Sequence, residues 1–263
     1  MPPTLVHRAA TYDDAMPELP VSVRVALWAT ASWRDGAPTA ELWQRAAPDL
    51  DAVGGDLDRL DVWRSLGEAA LLVALPASGH PRGLPACAAD ARDAAMVAGE
   101  AVVAPTFGGL LVPTLSAFGS TLEQGWRVDW TAHDCAPVPV HRVTGLDAGQ
   151  ARRRLATAMA EATEDLTQAG PPLLLSPTRP ERTVRERWSL PDGIPADVAD
   201  LLTRAATVEQ ACATGLAEAS NGVSASVSLQ RESALRQLRS AAEQTLEEAT
   251  NLAVAVLAGW RPA

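Results

Sequence analysis

The chain has 263 residues, of which 47% are hydrophobic and 21% are charged, as in an average globular protein, and this argues against a disordered or collagen-like chain. The formal net charge of -10 disfavours nucleic acid as the main partner, because phosphate binding needs a basic face. All 22 basic residues are Arg. Mechanisms that need a Lys amine, such as a Schiff base or a P-loop, are therefore excluded.

Short helices are predicted for most of the first 70 residues. Residues 20–34 fit two patterns, because the Val residues at 21, 23 and 25 alternate as in a strand, while Val21, Val25 and Trp28 share one helical stripe. The length of this run favours a helix. Apolar residues at helical spacing continue at Leu50, Val53, Leu57 and Leu60, with an interruption at Gly54-Gly55.

A small sheet is predicted in the middle of the chain. Residues 70–75, 101–104 and 110–116 are short apolar runs, and residues 126–132 alternate between apolar and polar side chains. The last two runs are expected to form a hairpin. The uncharged stretch 101–122 is long enough to span a bilayer, but its prolines and glycines favour two strands joined by a turn.

From residue 144 onward the spacing of apolar residues is helical, apart from a Pro-rich connector at 170–195. Two long amphipathic helices separated by a short connection end the chain and predict a helical hairpin. The expected fold class is α+β. A portion at 1–143 holds a small mixed or antiparallel sheet with packed helices, and a helical portion occupies 144–263.

The Gly/Pro-rich loop at 76–85 is the best candidate for a ligand site. Ser78, His80 and Arg82 offer a hydroxyl, an imidazole that can act as acid or base, and a guanidinium that can hold an anion. The loop follows a buried strand, the position at which parallel sheets place ligands. The alternative interpretation is a surface connection whose prolines only set its path.

A second candidate is the Cys-His pair formed by His133 and Cys135, which would share one face if the strand continued. The alternative is a polar cluster at the end of a strand. The three cysteines are widely spaced and odd in number, which predicts no disulfide framework and favours the cytoplasm. No metal-ligand spacing and no common cofactor motif is found, so no metal and no cofactor are predicted.

The segments LLVALPASGHPRGLP (71–85) and AGEAVV (98–103) resemble an uncharacterised family of proteins from high-GC actinobacteria. The resemblance implies a strand, a Gly/Pro loop and then a helical C-terminal part. It implies no activity and no functional residue.

Two hypotheses of function follow from these patterns. The first is a non-catalytic cytoplasmic interaction or scaffold protein, whose C-terminal helices contact a protein partner or a second copy of the chain. The alternative is a small-molecule-binding protein or enzyme that uses the 76–85 loop. Neither hypothesis involves nucleic acid or a membrane.

Overall fold

The computed structural model describes residues 19–77, 79–120, 123–168, 189–219 and 225–262. Most of the predicted 170–195 connector therefore lies outside the described residues. The described part contains both helices and strands, so the predicted α+β class is confirmed. In chain order the elements are α1 Val21–Arg34, α2 Thr39–Ala46, β1 Ala52–Gly55, α3 Asp58–Leu66, β2 Leu72–Ala74, α4 Ala89–Ala98, β3 Ala101–Ala104, β4 Gly109–Ser120, β5 Glu123–Asp134, α5 Val140–Thr144, α6 Ala148–Gln168, α7 Ala196–Ala219 and α8 Ala225–Leu257.

The five strands form one mixed sheet in the order β1-β5-β4-β3-β2. Strand β1 runs parallel to β5, and every other neighbouring pair is antiparallel. Residues 101–120 of the uncharged stretch form β3, a turn and β4, as predicted. Of the helices that the structure describes, none is both long and apolar enough to cross a membrane.

The alternation predicted for residues 126–132 is confirmed in β5. Val128 and Trp130 are buried, whereas Arg127 and Asp129 lie on the other face and form an exposed ion pair of 2.7 Å. The ring of Trp130 packs against Trp43 of α2, with ring centroids 6.1 Å apart. The predicted hairpin is also present, and its strands are longer than expected.

Strand β1 lies where helical spacing was predicted, so that prediction was wrong for residues 52–55. Gly55 has a φ of 88°, and a Cβ added there would lie 2.1 Å from the carbonyl oxygen of Trp130. The close parallel approach to β5 therefore requires glycine at this position. The helical spacing resumes in α3, which begins at Asp58.

The ambiguous 20–34 segment is helix α1, and its residues from 21 to 32 are all buried. No side chain of α1 itself caps its first turn. Instead, the N–H of Ser22 donates to the carboxylate of Glu100 at 2.8 Å, directly before β3. A carboxylate is a favourable partner for a helix N-terminus, because it meets unpaired N–H groups and the positive end of the helix dipole.

Helix α8 is central to the fold, because it packs against α7 and α6 and also against α1 and β2. Most of its residues from 242 to 257 are buried, including the predicted apolar positions Leu246, Ala249 and Ala253. The hairpin of α7 and α8 therefore directs its apolar stripe into the protein. The division of the chain at residue 143 stays a prediction.

Candidate functional site

Strand β2 lies at one edge of the sheet, and side chains from two helices bind its outer main-chain groups. Asn251 accepts from the N–H of Val73 at 2.8 Å and donates to the carbonyl of Val73 at 2.9 Å. One helical turn earlier, Glu247 accepts from the N–H of Leu75 at 2.7 Å. Next to the start of the strand, on the same outer edge, Thr30 of α1 accepts from the N–H of Leu71 at 3.1 Å. The α8 face that carries Glu247 and Asn251 is thus fixed against β2.

The same face of α8 holds the loop that follows β2. Arg82 donates to Glu243 at 3.2 Å and to the hydroxyl of Ser240 at 2.8 Å, and its side chain is largely buried. Glu243 also pairs with Arg239 at 3.1 Å, and Arg239 pairs with Glu209 of α7 at 2.8 Å. This chain of alternating charges connects the loop, α8 and α7.

Glu247 is a deeply buried carboxyl group. Burial raises its pKa to about 7, although the N–H of Leu75 and the charge of Arg82 act in the opposite direction, and nearby Glu248 raises it further. A Cβ added to Gly83 would lie 2.3 Å from a carboxylate oxygen of Glu247. A side chain at position 83 would therefore displace this carboxyl group from its place beside the loop.

Glu247 lines a partly open cavity of about 130 Å³, which we call the Glu247 cavity. Its walls are mainly aliphatic, and its polar groups are two carboxyl groups, one amide and one guanidinium. The lining residues are Leu72, Val73, Gly83, Pro85, Val103, Val138, Arg142, Val143, Leu146, Glu247, Glu248 and Asn251. The carboxyl group of shifted pKa beside apolar walls makes this cavity a candidate site for a very small ligand.

A larger depression of about 490 Å³ lies between the first turns of α6 and α7. It opens to solvent, and most of its lining side chains are exposed and charged, among them Arg152, Asp197 and Arg204. It is more open than the Glu247 cavity, and its lining carries no buried carboxyl group. The Glu247 cavity is therefore the better candidate.

The three residues predicted for the 76–85 site are placed differently from one another. Arg82 points to α8, where Glu243 and Ser240 bind it, while His80 is exposed. Ser78 lies outside the described residues. The rule that parallel sheets place ligands after a strand does not apply to this loop, because β2 is antiparallel to β3. Ligand binding by these three residues stays a prediction.

The predicted Cys-His pair lies at the end of β5. Within the described part of the chain, the Nε2 atom of His133 is buried and has no hydrogen-bond partner, so no hydrogen bond joins it to Cys135. Instead, Cys135 lies opposite Cys87 in an isolated antiparallel bridge. In the same described ranges, no three His, Cys, Asp or Glu residues form a group that could hold a metal ion.

Sequence reasoning missed Glu247, Asn251 and Arg142. One signal was available, because the α8 sequence after residue 250 is apolar on nearly all sides and such a helix is buried. Glu243, Glu247 and Asn251 recur every four residues beside that apolar segment. Polar residues at this spacing share one helix face and need partners when the helix is buried.

Two sequence models of one family match most of the chain. The Rv1486c-like protein, N-terminal domain matches residues 22–148, and the Rv1486c-like protein, C-terminal domain matches residues 149–247. No curated protein matches the chain, and no solved structure does.

Proposed function

Within the Rv1486c-like protein family, to which this chain belongs, we propose that the protein binds a small organic ligand in the Glu247 cavity. The observation that supports this function is a buried, ionisable carboxyl group that lines an otherwise mainly aliphatic, partly open cavity. The odd, widely spaced set of cysteines favours the cytoplasm as the place of this binding.

The polar groups of the cavity define the chemistry of the ligand. One oxygen of Glu247 is occupied by the N–H of Leu75, so the carboxyl group retains acceptor capacity for a donor from the ligand. An ammonium group is the best complement, because it pairs with the carboxylate and neutralises its buried charge. Arg142 is exposed and lines the same cavity, where its guanidinium suits a carboxylate.

The volume of the cavity limits the size of the ligand. A cavity of 150 Å³ in another protein holds benzene, so the 130 Å³ available here accommodates about five or six non-hydrogen atoms. Small primary amines and amino-acid-sized zwitterions meet both the size and the charge requirement. Nucleotides and larger cofactors exceed the volume.

Isothermal titration with a set of small probes tests this proposal. The set contains propylamine and butylamine, glycine and β-alanine, propionate, and butanol as a neutral molecule of the same shape. We expect saturable binding of amines or zwitterions, no binding of butanol, and a higher thermal midpoint with a bound probe. Failure of every amine and zwitterion to bind at millimolar concentration contradicts the proposal.

Substitutions identify where the probe binds. Glu247→Gln keeps the size of the side chain and removes its charge, and we expect it to weaken amine binding at pH 8 at least tenfold. Glu232→Gln is the matched control, because Glu232 lies near the other end of α8 and pairs only locally with Arg236. Equal weakening by both variants would place the probe outside the Glu247 cavity.

We also propose that the C-terminal helices bind a protein partner or a second copy of the chain. The inner stripe of α7 and α8 is covered by the protein itself, so a partner would contact their outer faces. Leu229 near the start of α8 is 65% exposed and favours such a contact. Light scattering of the wild type and of Leu229→Asp at micromolar concentration tests it. A strict monomer in both samples contradicts self-association through this residue.

A further inference from the structure

Two of the three cysteines face each other across a short antiparallel bridge. Cys87 lies two residues before α4, Cys135 directly follows β5, and the two residues are paired in register. The N–H of Ala136 donates to the carbonyl of Ala86 at 2.7 Å. This bond joins the residues that flank the cysteines, so the cysteines form a non-hydrogen-bonded pair of the antiparallel type.

This type of pair brings the two side chains close together. Directly opposite residues in it have Cα atoms about 4.5 Å apart and side chains on one face. A disulfide needs Cα atoms roughly 4.4–6.8 Å apart. Both cysteines are half-buried free thiols, whereas Cys212 is fully buried in α7. The backbone therefore presents one cysteine pair that is close enough to be oxidised and accessible to a reagent.

We propose that Cys87 and Cys135 are a redox-active dithiol, which small-molecule disulfides oxidise to an intramolecular disulfide. This proposal is independent of the ligand proposed for the Glu247 cavity. Its chemistry is thiol–disulfide exchange, in which a thiolate attacks a disulfide sulfur and displaces another thiolate.

The exchange has two steps, with glutathione disulfide as the oxidant. First, the thiolate of Cys87 attacks one sulfur of glutathione disulfide, the sulfur–sulfur bond breaks, and one glutathione thiolate leaves. Cys135 then loses its proton to solvent and attacks the sulfur of Cys87, and the second glutathione thiolate leaves. The protein loses two electrons and two protons, and glutathione disulfide becomes two molecules of glutathione.

The environment of the thiols suggests this order of attack. Burial, and then the neighbouring Cys87 and Asp134, raise the pKa of Cys135 to about 12. Burial also raises the pKa of Cys87, where Arg92 acts in the opposite direction and Asp90 raises it further. Cys135 is therefore the poorer first nucleophile at neutral pH. Once Cys87 carries glutathione, the proximity of Cys135 favours closure of the disulfide.

Peptide mapping after oxidation tests the proposal on the full chain. The folded protein is equilibrated with mixtures of glutathione and glutathione disulfide, quenched in acid, blocked with a maleimide and cleaved with trypsin. Cleavage after Arg places the cysteines on separate peptides, at 83–92, 128–142 and 205–231. We expect an oxidised protein two hydrogen atoms lighter, with peptides 83–92 and 128–142 joined and Cys212 alkylated.

Cysteine variants and the other possible oxidation products distinguish an intramolecular Cys87–Cys135 disulfide from its alternatives. Cys212→Ser should form the same cross-link as the wild type, and Cys135→Ser should stop at a mixed disulfide on Cys87. A wild-type protein that accumulates the mixed disulfide, links two chains, or stays reduced in excess glutathione disulfide overturns the proposal. The wild type and Cys212→Ser decide the matter even if Cys135→Ser does not fold.

Discussion

Three buried carboxylates accept main-chain N–H groups from distant segments. Glu68 accepts from both the N–H and the hydroxyl of Thr106 at 2.8 Å, and Glu100 accepts from the first turn of α1. Glu247 accepts from Leu75 in the same manner. Hydrogen bonds to an ionised acceptor are stronger than neutral ones, so each contact partly offsets the cost of burial. For Glu247 the burial cost prevails, because its pKa is raised.

This raised pKa predicts how stability depends on pH. The carboxyl group of Glu247 has a pKa of about 7 in the folded chain and an ordinary value of 4.5. Between these values the folded state binds more protons than the unfolded state, so the free energy of unfolding falls as pH rises. The loss amounts to about 3 kcal/mol once pH exceeds 7.

Chemical denaturation of wild type and Glu247→Gln from pH 5 to pH 8 measures this loss. The neutral amide removes the titration, so the wild type should lose stability relative to the variant across that range. Arg82, Arg142, Glu243 and Glu248 are also near and are present in both proteins, so their effects largely cancel in the difference. Parallel curves for the two proteins would show that Glu247 does not titrate in this range.

At the scale of elements, the pairing of α8 with β2 depends on a match between the spacing of residues along a helix and along a strand. Residues four apart on a helix are separated by about 6 Å along its axis, and residues two apart on a strand by about 6.6 Å. Glu247 and Asn251 can therefore reach Leu75 and Val73 together. Side chains of a helix thus supply the hydrogen bonds that a sixth strand would supply.

Removing the amide of Asn251 should lower the free energy of unfolding, because it breaks this pairing. Asn251→Ala leaves the buried N–H and carbonyl of Val73 without partners, and each unsatisfied group costs about 1–3 kcal/mol. We expect a loss of roughly 2–5 kcal/mol in urea denaturation. Gln244→Ala, an exposed position on the same helix, is the control and should change stability little. A loss below 1 kcal/mol for Asn251→Ala contradicts the assigned pairing.

At the scale of the whole molecule, α8 ties the sheet to the helical region, because it contacts β2 and α1 as well as α6 and α7. The bridge between Cys87 and Cys135 joins the two ends of a different segment of the chain, which contains α4, β3, β4 and β5. A disulfide formed by these two cysteines would constrain the sheet without involving α8.

A disulfide between Cys87 and Cys135 should stabilise the protein. A disulfide from Cys87 to Cys135 encloses about 50 residues, for which the loss of chain entropy in the unfolded state corresponds to roughly 4 kcal/mol, with strain reducing the gain. We expect the oxidised protein to unfold at a higher denaturant concentration than the reduced one. Cys87→Ala should show no difference between oxidising and reducing conditions. Lower stability after oxidation would mean that the bond distorts the bridge.

Much of the fold was predictable because its signals are local. The alternation of β5 identified Val128 and Trp130 as buried, and the spacing in α8 identified Leu246 and Ala249. Strand β1 was missed because it has only four residues, two of them glycines, and its parallel partner lies more than 70 residues away. No local pattern encodes such a pairing.

The candidate site was predictable only in part. The 76–85 loop was correctly identified as the segment after a buried strand, and Arg82 does lie near the Glu247 cavity. The carboxyl groups that it approaches are more than 150 residues away in the chain. Their proximity depends on how α8 packs on β2, which residue spacing within either segment does not specify.

The binding of β2 by side chains has a consequence for solubility. Exposed strand edges can recruit strands from other molecules and so initiate aggregation. Here Thr30, Asn251 and Glu247 occupy the outward N–H groups of Leu71, Val73 and Leu75. This edge of the sheet therefore leaves none of these three N–H groups free to pair with a strand from another molecule. Losing the amide of Asn251 would make the protein more prone to aggregation as well as less stable.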